Sequence, residues 1–145
     1  MQAGRAAPEF TAATTTGQTI RLSGFRGKKV VLYFYPKDDT PGCTVEGCGF
    51  RDIHQKIRDA GAEILGVSVD GVESHELFTE KYNLPFPLVA DVDSKISQLY
   101  GAFNEKWKQA RRVTFIIDEK GIISKVFDPV KLDVHPREVL DALKG

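Results

Sequence analysis

The sequence predicts an α/β domain with a mixed central sheet flanked by helices on both faces. Three observations carry that prediction. Residues 30–35 and 64–69 are continuous apolar runs rich in β-branched and aromatic side chains, the pattern of strands covered on both faces. A helical periodicity lies between them, which makes a parallel βαβ unit. Near the C-terminus, two more strand-like runs (113–117 and 122–127) are separated only by a turn around Glu119-Lys120-Gly121, which makes an antiparallel pair.

The elements follow in order. Residues 10–20 read as a short hairpin turning at Thr16-Gly17-Gln18, and 23–29 as a loop with Gly24 and Gly27. The strand 30–35 stops at Pro36. Thr40 is placed as the N-cap of a helix whose first position is Pro41, where a missing N–H costs nothing. Phe50, Ile53 and Ile57 carry that helix to about residue 60, and Gly61 terminates it. After the strand 64–69 come a helix over 73–82, a short strand at Leu88-Val89 and a helix over 94–100 capped by Ser94. The hairpin of 113–117 with 122–127 and a closing helix over 135–143 complete the chain. A thioredoxin-like fold has this order.

Composition bounds the function. The 145 residues make about one ordinary domain, spanning 1–145. Twenty Lys+Arg balance twenty Asp+Glu, and there is no basic run or face for nucleic acid or an anionic membrane. No apolar run is long enough to span a bilayer, and the first eight residues lack the apolar core of a signal peptide. The expected location is the cytoplasm, and a mature plastid protein would look the same. Two cysteines are too few for a stapled secreted scaffold, and in a reducing compartment such a pair is catalytic, redox-sensing or metal-binding. His54, His75 and His135 are far apart and make no ligand pattern with the cysteines, so no metal is expected.

The chemistry concentrates in Pro36-Lys37-Asp38-Asp39-Thr40-Pro41-Gly42-Cys43, with Cys48 five residues later. Cys43 falls in the first helical turn, where unpaired backbone N–H groups favour a thiolate, the reactive form. Five residues of unbroken helix rise about 7.5 Å and turn roughly 140°, which puts the two Cα atoms beyond disulfide reach. A Cys43–Cys48 bond therefore requires the helix start to unwind, which fits a transient bond and not a permanent staple. Arg112, at the entry of the strand 113–117, can reach the sheet edge with a fixed charge and several donors. Arg111 is its rival, but alternation sends the two to opposite faces. Thr40 has two compatible readings, as helix cap or as hydrogen-bond partner of a substrate oxygen. Glu46, one turn beyond Cys43 on the same face, either pairs with Arg112 or is a solvated charge.

These residues resemble those of the peroxiredoxins, within them the bacterioferritin comigratory protein / peroxiredoxin Q group. The resemblance covers essentially the whole chain. Ala7-Pro8-Glu9-Phe10 is similar to the group's N-terminal A-P-x-F, and Val31 to Pro36 followed by Thr40-Pro41-Gly42-Cys43-Thr44 to its active-site loop. The spacing of Cys43 and Cys48 is that of its two-cysteine members, and Arg112 with Thr114-Phe115-Ile116-Ile117-Asp118 matches R-x-T-F-x-x-D. The resemblance implies a peroxidase without metal or organic cofactor. Cys43 would be the peroxidatic cysteine and Cys48 the resolving one. Thr40, Pro36 and Arg112 would complete a pocket that Gly42 and Glu46 also line. The substrate would be a hydroperoxide, the reductant thioredoxin or a similar dithiol protein, and the protein a monomer. Residues 103–110 depart from the pattern with Trp107 and are expected at the rim of the site. The stretch 128–135 also departs, with no function attached. The alternatives are a thioredoxin-like disulfide reductase, disfavoured because the cysteines are not Cys-x-x-Cys, and a non-enzymatic redox sensor.

Overall fold

A computed structural model describes residues 2–144. Its centre is a five-stranded sheet. β3 (Lys29–Phe34) pairs in parallel with β4 (Ala62–Ser68), and β4 in parallel with β5 (Leu88–Ala90). On its other side β3 pairs antiparallel with β8 (Val113–Ile117), which pairs antiparallel with β9 (Ile123–Phe127). The order is β5-β4-β3-β8-β9, so the strand that ends at the Pro36–Cys43 run is central. Outside this sheet, β1 (Thr11–Ala13) and β2 (Thr19–Arg21) form the predicted N-terminal hairpin.

Strand alternation divides the core in two. Val30, Leu32 and Phe34 of β3 join Val113, Phe115 and Ile117 of β8 in one cluster, with Ile96 and Tyr100. Val31, Tyr33 and Tyr35 face the other way, into a cluster with Cys43, Phe50, Ile57, Phe78, Val139 and Leu143. Side chains two apart on a strand share a face, so this split follows from the sequence once the strands form. The second face is covered by α1 (Pro41–Asp52), α2 (His54–Asp59), α3 (Val72–Tyr82) and α5 (His135–Lys144), and the first by α4 (Lys95–Leu99) with N-terminal residues. The thioredoxin-like arrangement with helices on both faces is the one expected.

Three local expectations are corrected. The helix read to about residue 60 breaks at Ile53 (φ −112°, ψ 12°), and α2 restarts there with Ile57 in the core. Gly61 does terminate it, in the left-handed region (φ +81°) that favours glycine. Ser94 does not cap α4. It sits at φ 60°, and its hydroxyl accepts from Gln98, while the Asp91 carboxylate takes the N–H groups of Ile96 and Ser97 at 3.0 and 2.8 Å. Within the stretch read as a loop, Leu22–Phe25 makes a 3₁₀ turn. Residues 103–110 contain a hairpin, β6 (Phe103–Asn104) against β7 (Gln109–Ala110), with Trp107 exposed in its turn.

Candidate active site

β3 delivers the chain to the face where Cys43 lies, and the loop after it turns into α1 with Thr40 at the N-cap position in extended backbone. Thr40 does not cap with its side chain. Its hydroxyl donates to the Lys37 carbonyl at 2.9 Å, which leaves the oxygen's lone pairs open. Pro41 has no N–H and Thr44 N–H bonds the Thr40 carbonyl, so the amides of Gly42 and Cys43 form the uncapped start of the helix. Cys43 itself is 2% exposed.

Arg112 lies on the Thr114–Ile116 side of β8, and its guanidinium reaches two partners on α1. Nη2 donates to Cys43 Sγ at 3.3 Å and Nη1 to Glu46 Oε1 at 2.8 Å. As strand alternation requires, Arg111 points elsewhere, to the Asp128 carboxylate and the Gly101 carbonyl. Gly42 has a steric reason to be glycine. A Cβ there would stand 3.0 Å from Arg112 Nη2 and 3.2 Å from Leu132 Cδ1. Pro36 is half-buried in the bend after β3.

Glu46 is wholly buried, so the reading as a solvated charge is corrected. Its Oε2 has no hydrogen-bond partner among the described residues, and neither have Tyr33 Oη or His135 Nδ1. Burial lifts the Glu46 carboxyl to about 7 against the opposing pull of Arg112. His135, whose Nε2 is 2.8 Å from Thr114 Oγ1 and 3.8 Å from Glu46 Oε2, is lowered to about 4 by burial and then by Arg112. The stretch 128–135, silent in the sequence, thus contributes Leu132 and His135 to the floor of the site. Nothing in their spacing announces this, because the contacts cross from the start of α5 to α1 and β8.

The Glu46 value has a testable sign. In the unfolded chain the carboxyl titrates near 4.5, below its folded value of about 7. The folded state therefore binds the proton more tightly. That advantage is full below about pH 4.5 and is lost as pH rises through about 7, a difference on the order of 3 kcal/mol. His135 contributes the opposite slope between about 4 and 6.5 in any variant that keeps it. Between pH 5 and pH 8 the two slopes oppose each other, so urea unfolding of the reduced wild type is expected to change little, whereas Glu46→Gln, which keeps only the His135 slope, is expected to gain on the order of 2 kcal/mol toward pH 8. Parallel behaviour of the two proteins would refute the assignment.

Cys48 sits half-buried farther along α1. Because α1 is continuous from Pro41 to Asp52, the two positions stay about 7.5 Å apart along its axis, and both thiols are free. The site therefore combines a buried sulfur at a helix start, a guanidinium bonded to it, a carboxylate bonded to that guanidinium, and a second thiol out of reach while the helix is wound. This arrangement can hold a sulfur anion against a fixed positive charge and aim donors at a developing oxyanion.

Comparison with known proteins agrees with this geometry. Residues 3–126 match the model of the AhpC/TSA family. A putative peroxiredoxin Bcp of Coxiella burnetii is 48% identical over 99% of both chains. A chloroplastic peroxiredoxin Q of Populus jackii is 43% identical over 98% of this chain and 68% of its own length. Among solved structures, the Xanthomonas campestris bacterioferritin comigratory protein superposes with a TM-score of 0.91 at 35% identity, covering 98% of this chain and 97% of that one. With sequence, fold and thiol site concurring, the chain belongs to the AhpC/TSA family, among the Bcp and Q peroxiredoxins.

Proposed function

We propose that this protein is a thiol peroxidase that reduces hydrogen peroxide and organic hydroperoxides through Cys43. The observation that carries the proposal is the Arg112 guanidinium, which spans Cys43 Sγ and Glu46 Oε1 at the open start of α1. Cys43 as thiolate attacks the terminal oxygen of the peroxide. The S–O bond forms as the O–O bond breaks, and sulfur is oxidised by two electrons to a sulfenic acid. The leaving oxygen takes a proton and departs as water or alcohol. Arg112 and the Gly42 and Cys43 amides offset the charge on the breaking bond. Thr40, whose hydrogen is spent on Lys37, faces the substrate as an acceptor, and Pro36 walls the pocket.

The first turns of α1 then unwind. Cys48 attacks the sulfenic sulfur, expels water and forms the Cys43–Cys48 disulfide. A dithiol protein of the thioredoxin type returns two electrons by thiol exchange. We read the chain as one domain acting as a monomer without metal or organic cofactor, and the 103–110 hairpin as a rim of the site, since β7 leads directly into Arg112. No helix among the described residues is long and apolar enough to cross a membrane. Bacterial Bcp proteins and plastid Q proteins both stand among the relatives, so the reading places this chain in the cytoplasm or, as a mature form, in a plastid.

Cys48→Ser tests the cycle. It is expected to consume one equivalent of peroxide at the wild-type rate and then to stop, with thioredoxin-driven turnover reduced at least about tenfold. Full multiple turnover in that variant would remove Cys48 from the cycle.

A further inference from the structure

Beside the thiol site lies a second buried polar cluster that the peroxidase chemistry does not use. Asp38, in the loop between β3 and α1, is buried, and its carboxylate is surrounded by donors. Tyr35 Oη donates to Oδ1 at 2.6 Å, Ser74 Oγ donates to Oδ2 at 2.9 Å, and His75 Nδ1 lies 2.7 Å from Oδ2. His75 is fully buried, with Nε2 2.9 Å from the Val89 carbonyl oxygen. A carbonyl only accepts, so Nε2 carries a hydrogen and the ring is fixed on β5, and a second hydrogen must lie between Nδ1 and Asp38 Oδ2, since a bare ring nitrogen and a carboxylate oxygen are both acceptors. The Asp38 N–H donates to Asp70 Oδ2 at 2.8 Å, and Asp70 also accepts from Ser68 Oγ at 2.7 Å. Asp38, Asp70 and His75 bring ligand-type atoms within 4.8 Å of one another, but these bonds already engage them, so the cluster is a brace and not an open cation site.

Loops at protein surfaces are ordinarily mobile. This one is tied to α3 by two carboxylates, Asp39 at the surface with Lys81 and Tyr82 and Asp38 in the interior with Ser74 and His75; through His75 the buried one also reaches β5, and the Asp38 N–H ties the backbone to the end of β4. Catalytic geometry justifies such a brace, since a displacement of about 1 Å at a reacting centre costs on the order of a hundredfold in rate. We propose that His75 is a positioning residue for the thiol site: anchored on Val89, it grips Asp38 and so fixes the 36–40 loop that presents Pro36, Thr40 and the start of α1. The proposal rests on the peroxidase reading of Cys43.

Two substitutions separate positioning from mere packing. His75→Gln keeps a donor where Nε2 stood, toward Val89, and loses the one toward Asp38. His75→Asn keeps a donor where Nδ1 stood, toward Asp38, and leaves the Val89 carbonyl without its partner. The measurements are kcat/KM for hydrogen peroxide, kcat with saturating thioredoxin, and the melting temperature. His75→Gln is expected to lower kcat/KM at least tenfold. His75→Asn should stay within threefold of wild type while melting at the lower temperature, because it strands a buried acceptor. kcat, set by recycling, should change less than twofold in both. Ser74→Ala, at a half-buried position that gives one bond to Asp38, should lower kcat/KM two- to threefold. The proposal is overturned if His75→Gln matches wild type or if activity in the two variants simply follows melting temperature. Should neither His75 variant fold, wild-type kcat/KM in Ser74→Ala overturns it. A wild-type protein without peroxide turnover counts against the peroxidase reading, whereas an active wild type with indifferent variants counts against His75 alone.

Discussion

Cys43→Ser is expected to abolish peroxide turnover while leaving the fold intact. Serine is close to isosteric with cysteine, and Cys43 is one small member of a core cluster that includes Tyr33, Phe50 and Val139, so little packing is lost. The chemistry is lost entirely. The nucleophile toward a peroxide is a thiolate, and a hydroxyl in the same place has neither the charge nor the sulfur that must be oxidised. Arg112 and Glu46 remain paired, but they only support a nucleophile. Removing the central member of a unit that acts together costs most of its rate, here at least about a thousandfold. The check is peroxide consumption with thioredoxin and its reductase, beside a melting curve. Retained turnover with a wild-type melt would sink the assignment of Cys43.

Arg112→Gln has the second largest expected effect. The residue is half-buried, and its two donor nitrogens are divided between Cys43 Sγ and Glu46 Oε1. Its removal takes a fixed cation from the sulfur and the guanidinium partner from Glu46, whose carboxyl burial then keeps protonated. The second-order rate of Cys43 oxidation is expected to fall about 100- to 1000-fold, the scale seen when one preorganised donor to a developing oxyanion is removed. Arg112→Lys keeps the charge but not the planar fork, so it cannot serve both partners and should recover only part of the rate. A lysine variant equal to wild type would mean that charge alone suffices. An Arg112→Gln variant equal to wild type would remove the guanidinium from the mechanism.

Much of this arrangement was legible in the sequence because it depends on local pattern. β8 follows directly from the run 113–117, and alternation put Arg111 and Arg112 on opposite faces; the match to R-x-T-F-x-x-D singled out Arg112, and the structure sets it against Cys43 with Arg111 turned away. The Thr40-Pro41 step located the start of α1 for the same reason: proline and an extended N-cap residue have few other uses there. What was not legible depends on distant partners. Asp38 lay inside the most conspicuous motif, yet its bonds run to Ser74 and His75, more than 35 residues away, with no periodicity to reveal them. Glu46 could be placed on the right face but not known to be buried, because burial depends on α5 closing over it. Ser94 lost the capping role to Asp91 because a carboxylate three residues earlier reaches the same amides. Two-residue strands such as β6 and β7 leave no alternation to detect.

The most direct test of the account is to mix reduced protein with one equivalent of hydrogen peroxide, quench on the millisecond to second scale, and weigh the intact protein and its peptides. The account predicts rapid loss of two hydrogens, with a Cys43–Cys48 disulfide as the product and the unwinding of α1 that such a bond demands. Prompt oxidation that stops at a sulfenic or sulfinic Cys43 would contradict resolution by Cys48, and an unchanged mass would contradict the peroxidase itself.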